Sequence, residues 1–105
     1  GQAERKGKRL LVKLKEALSD HPNVGDVRGL GMMCAVEYVQ DRGTREPFDA
    51  KENIGARIHG ETVERGMFSR TRGDVYCIAP PIVTEESTID EIAEILAAST
   101  QAVLG

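Results

Sequence analysis

Gly66-Met67-Phe68-Ser69-Arg70-Thr71-Arg72-Gly73-Asp74-Val75-Tyr76-Cys77-Ile78-Ala79-Pro80-Pro81 is the stretch on which the reading of this chain turns. Two short apolar runs, Met67–Ser69 and Val75–Ala79, flank a polar turn, Arg70–Asp74. Gly73 and Asp74 supply backbone angles that bulkier residues adopt only at a cost. Two strands joined by such a turn make a hairpin, and Pro80-Pro81 ends the second strand because proline cannot donate to a sheet ladder. The tip would carry two guanidinium groups, Arg70 and Arg72, each a planar fork matched to a carboxylate or phosphate. The plain alternative is a pair of exposed turn charges with no ligand.

Upstream, Val24 to Val39 reads as a strand pair, or as one strand entered through a bend. Gly25, Gly29 and Gly31 interrupt its first half, the density expected of tight turns or close backbone approach. Gly29 and Gly31 form a G-x-G, but no third glycine and no helix follow, so a phosphate loop is a poor fit. From Met32 the pattern alternates, with Met32, Cys34, Val36 and Tyr38 forming one wholly apolar face against Met33, Ala35, Glu37 and Val39.

Three helices complete the pattern. Residues 1–20 place Leu10, Leu11, Leu14, Ala17 and Leu18 on one side, with Lys6, Lys8, Arg9, Lys13 and Lys15 on a solvated face. His21-Pro22-Asn23 stops that helix. A second runs from Asp49, its expected N-cap with Glu52 closing a capping box, to about Arg65. Its apolar side, Ile54, Ile58 and Val63, is thin, and Gly55 and Gly60 weaken it. The last helix buries Ile89, Ile92, Ala93 and Leu96, with Ile95 at the edge, and either Thr84 or Ser87 caps it. The order αββαββα predicts an α+β fold in two layers, helices on one face of a small, mainly antiparallel sheet.

Composition narrows the function. A chain of 105 residues, 40% hydrophobic, suits one domain, and a net charge of −3 with interspersed signs argues against a nucleic-acid module. No apolar run is long enough to span a membrane. Cys34 and Cys77 stand alone, without metal-ligand spacing, and read as reduced thiols of a cytoplasmic protein; a disulfide would require neighbouring strands. No nucleophile elbow or acidic pair stands out, and the lone His59 reads as a surface or packing residue. The bottom-up reading is therefore a two-layer domain with an anion-site candidate at Arg70 and Arg72, and a free-standing ligand-binding or regulatory module remains an alternative.

An ordered series of motifs carries a resemblance. Residues His21 to Val39 resemble H-P-x-V-G-x-V-R-G-x-G-L-M-x-x-V-E-L-V. Glu64-Arg65-Gly66, Arg70-x-x-Gly73-Asp74, Ala79-Pro80-Pro81, Thr84-Glu85-Glu86 and Ile89-Asp90-Glu91 continue it in order. The series resembles the C-terminal part of class III aminotransferases, pyridoxal-phosphate enzymes of aspartate-aminotransferase fold. The resemblance implies a homodimer of chains several hundred residues long. A large domain holds the Schiff-base lysine and the carboxylate facing the pyridine nitrogen; residues 1–105 would be the small domain. No catalytic or cofactor-binding residue is then expected here, and Lys6, Lys8, Lys13, Lys15 and Lys51 match no catalytic motif. The fragment alone is expected to be inactive and not to bind the cofactor. Cys77 stands where ornithine-type members place a carboxylate-binding arginine. Arg70 stands at the start of R-x-x-G-D, where ω-amino-acid:pyruvate types hold the carboxylate of an amino or keto acid with an arginine that swings aside for a plain amine. Arg72 is expected to face solvent. Thr84 to Ile89 is one residue longer than the family pattern, which shifts the expected cap to Ser87.

Overall fold

The computed structural model describes residues 1–30, 33–79 and 85–105, with only the backbone of Ala3 and Leu30. Helix α1 (Gln2–Leu18) is followed by strands β1 (Val24–Leu30) and β2 (Met33–Tyr38), a 3₁₀ turn (Ala50–Glu52), helix α2 (Ile54–Glu64), strands β3 (Arg70–Arg72) and β4 (Val75–Ile78), and helix α3 (Glu86–Leu104). The strands form one sheet in the order β1-β2-β4-β3, every neighbour antiparallel. This is the expected α+β architecture. Its extents, 39 × 28 × 20 Å, leave room in the short direction for one sheet and one layer of helices.

The alternation of β2 decides which side of the sheet is buried. Cys34, Val36 and Tyr38 lie under the helices, and Val27 of β1 and Tyr76 and Ile78 of β4 extend the same face by their register. Leu10, Leu14 and Leu18 of α1, one turn apart, close over it, joined by Ile54 and Ile58 of α2 and Ile89, Ala93 and Leu96 of α3. Helix α1 packs on β1 and β2, α2 on β3 and β4, and α3 on both helices. Gly25 sits in a β-bulge between Val24 and Asp26, where a Cβ would stand 2.9 Å from Val39, and a Cβ on Gly29, opposite Cys34, would stand 3.0 Å from Leu11 of α1, so both glycines mark close approaches. Gly31, Met32 and Pro80 to Thr84 lie outside the described residues, including the two prolines and one of the two candidate caps.

The structure corrects several expectations. Ala17 is exposed, and Gly7 takes its place in the buried stripe of α1. Arg9 is not simply solvated: its Nε and Nη2 donate to the two carboxylate oxygens of Asp90 at 2.9 and 2.8 Å, fastening α1 to α3. Asp49 caps the 3₁₀ turn, accepting from Lys51 N–H, and not α2. The reason is Asn53, whose left-handed backbone (φ 49°) breaks the helical path and lets α2 begin at Ile54. The N-terminus of α2 is served instead from across the fold, where Asp74 accepts from Gly55 N–H at 3.0 Å. Ser87 lies inside the first turn of α3, which starts after Glu85 without a side-chain cap; acidic Glu86 in that turn suits the helix dipole.

Cys34 and Cys77 are on neighbouring strands, yet no disulfide joins them. Cys77 pairs with Ala35, so alternation sends the two sulfurs to opposite faces. Cys34 is buried against Gly7 of α1, and burial pushes its thiol up to about 11.

Candidate functional site

The hairpin forms as expected, but its arginines are not in the turn. Arg70 and Arg72 are the first and last residues of β3, paired with Cys77 and Val75, and the turn is Gly73-Asp74 alone. Gly73 has φ +57°, and Asp74 is not among the residues with positive φ, the pattern of a type II′ hairpin turn. Two-residue alternation turns Thr71 toward the helices beside Tyr76 and puts both arginines on the other face. No described helix covers that face. Across it, in register, stand Asp26 and Arg28 of β1, Met33, Ala35 and Glu37 of β2, and Val75 and Cys77 of β4. Met33 is 51% exposed there.

A concavity of about 570 Å³ opens on this face, bordered by Arg28, Met33, Ala35, Arg72, Val75 and Cys77. Its floor is apolar and its two ends are cationic. The ends differ electrically. Arg28 Nη1 lies 3.2 Å from Asp26 and 3.9 Å from Glu37, and Arg45 reaches Glu37 at 3.2 Å from the following loop. Arg70 and Arg72 are exposed and pair with no carboxylate among the described residues. Arg70 does not border the concavity; it stands at the start of the edge strand, while Arg72, expected only to face solvent, lines it. The cluster of Arg28, Asp26, Glu37 and Arg45 was not singled out from sequence. Glu37 on the polar side of an alternating strand was its one visible sign; the partners depend on register and on the loop's path.

Behind this face the hairpin is fixed to α2. Tyr76 is fully buried, and its hydroxyl lies 2.7 Å from Thr62 Oγ1. Thr62 spends its one proton on His59 O at 2.9 Å, so Tyr76 O–H is the donor. Burial raises the Tyr76 hydroxyl pKa. The His59 ring lies 6.0 Å from that of Tyr76, and its Nε2 accepts from Ser69 N–H at 3.3 Å. Ser69 Oγ donates to Cys77 O.

The model of the family "Aminotransferase class-III" matches residues 1–99, and the chain belongs to that family. It is 42% identical over its whole length to an adenosylmethionine-8-amino-7-oxononanoate aminotransferase of Geobacter sulfurreducens, and spans 23% of that protein. It is 40% identical over 82 residues, 78% of the chain, to a putrescine–pyruvate aminotransferase of Pseudomonas aeruginosa, of which it spans 18%. Among solved structures, the ω-transaminase from Pseudomonas jessenii in complex with PMP matches with a TM-score of 0.91 at 33% identity. That match covers 97% of this chain and 22% of the other. The chain therefore spans about a quarter or less of these relatives' length.

Pyridoxal phosphate is the family's cofactor, and it needs a lysine for its Schiff base. The open face does not fit it. No lysine borders the concavity of the open face. The lysines of α1 belong to the helical layer across the sheet, and Lys51 is exposed on the 3₁₀ turn.

Proposed function

We propose that residues 1–105 are the C-terminal small domain of a class III transaminase. The whole enzyme moves an amino group from an amine or ω-amino acid to a keto acid such as pyruvate. In this reading the lysine and the cofactor seat belong to a large domain of the same polypeptide, the enzyme is a cytoplasmic homodimer, and this part supplies Arg70 as the holder of a substrate carboxylate. The observation that supports the assignment is the contrast on the open face: Arg28 and Arg45 share the carboxylates of Asp26 and Glu37, whereas Arg70 and Arg72 are exposed and unpaired among the described residues, and of these two the R-x-x-G-D resemblance selects Arg70. A guanidinium free of internal acids is available to an external one, and a long side chain on an edge strand can withdraw for a substrate that brings none.

Substitution in the full-length enzyme tests this. Arg70→Ala is expected to raise KM for amino and keto acids by the equivalent of about 2 kcal/mol, the loss of a charge-assisted pair, while sparing simple amines. Arg72→Ala, two residues along the same face, is the comparison and should do less. Equal losses on amines and amino acids would remove Arg70 from the site.

A further inference from the structure

We propose that His59 is a positioning residue for Arg70, holding the start of the edge strand so that the guanidinium leaves the sheet at a fixed place. The inference rests on the reading of Arg70 given above. Strand β3 is three residues long and pairs on one side only, so its first residue, Arg70, is where fraying would begin. Two clasps act on the residue just before it. Ser69 Oγ donates to Cys77 O of β4, and Ser69 N–H donates to His59 Nε2 of α2 at 3.3 Å. The second clasp joins the strand to the helical layer. It requires the histidine to be neutral, with its proton on Nδ1 and Nε2 left as acceptor.

The ring is itself held. One side leans on Tyr76 at 6.0 Å between centroids, tilted by 41°. Tyr76 donates to Thr62, and Thr62 donates back to the carbonyl of His59, so backbone and ring of the same residue belong to one closed set of contacts. His59 is half-buried and Tyr76 and Thr62 are fully buried, which keeps water from competing within that set. A histidine kept only for packing would need the Tyr76 contact; the aim of Nε2 at Ser69 N–H, one residue from Arg70, is the additional feature.

The experiment uses the full-length enzyme with three variants. His59→Phe keeps a ring against Tyr76 and removes the acceptor. His59→Gln restores an acceptor near the position of Nε2. Arg70→Ala reports on the reading beneath. Loss of one hydrogen bond predicts a KM rise of up to roughly tenfold for an amino acid in His59→Phe, an unchanged half-reaction with a simple amine, and recovery in His59→Gln. Amide exchange at residues 69–72 should quicken in His59→Phe and return toward normal in His59→Gln, a readout independent of turnover. If His59→Phe does not fold, His59→Asn, too short to reach Ser69, takes its place with the same expected loss. If Arg70→Ala discriminates between the substrates and the acceptor-deficient variant does not, His59 is a packing residue and the proposal falls alone. If Arg70→Ala does not discriminate either, the reading of Arg70 falls and takes this one with it.

Discussion

Two tyrosines on the central strands meet two threonines on different helices, and the direction of each bond follows from counting protons. Tyr38 Oη is 2.6 Å from Thr100 Oγ1, and Thr100 already donates to Leu96 O at 2.8 Å, so Tyr38 donates, as Tyr76 does to Thr62. Burial raises the Tyr38 hydroxyl pKa. The two partners are therefore unequal. Tyr38→Phe leaves Thr100 still bonded through its own proton, and should cost about 1 kcal/mol. Thr100→Val strands a fully buried O–H with no acceptor, and should cost about 2 kcal/mol. Chemical denaturation of both variants decides the order, and a cheaper Thr100→Val would mean that the donor had been assigned backwards. The apolar stripe and its threonines are visible in the chain, but a hydroxyl's partner lies 62 residues away and is set by how α3 crosses the sheet.

Helix α2 is short, carries two glycines, and looks weak as an isolated element. It is held by the core residues Ile54 and Ile58, by packing on α3, and at its N-terminus by the hairpin. Asp74 accepts from Gly55 N–H, and a Cβ placed on Gly55 would collide with Gly73 O. Gly55→Ala should thus destabilise the fold by about 2 kcal/mol through overpacking, against a gain of about 1 kcal/mol in helix propensity that an exposed site would show. A raised thermal midpoint in Gly55→Ala would contradict the close approach. At this scale the sequence was legible where one element decides its own form: the period of α1 apart from Ala17, the alternation of β2, and the existence of a hairpin turning at Gly73-Asp74. It misled where two elements share a decision. Asp49 looked like the cap of α2 because the apolar period gives no boundary between Glu52 and Ile54; Asn53, a residue that tolerates the left-handed region, marks where the helical path breaks. Arg70 and Arg72 were assigned to the turn because the polar run is longer than the two residues that bend. The resemblance points to Arg70 irrespective of that boundary; the paired state of Arg28, which sets Arg70 and Arg72 apart from it, became visible only with the register of β1 on β2.

Across the whole molecule the first and last helices are joined by Arg9, which meets Asp90 in a two-point pair and Glu86 at 3.5 Å. The hydrogen bond from Arg9 is the main cause that holds the Asp90 carboxyl below the usual carboxylate range, and burial opposes it. A carboxyl lowered on folding contributes stability that is full above its unfolded pKa and is lost as pH falls through its folded value. Stability should accordingly decline on the acid side, below about pH 4, and Asp90→Asn should flatten that limb while lowering the plateau near neutrality. Denaturation curves across pH for both proteins check this, and an unchanged acid limb would show that the pair is broken in solution. The two cysteines give the slab a further property. Because adjacent strands aim them apart, one sulfur belongs to the oily interior and the other to the bare side. The chain thus labels its own two surfaces with one element of the periodic table: whatever seals the bare side shields one sulfur, and whatever loosens the helices uncovers the other.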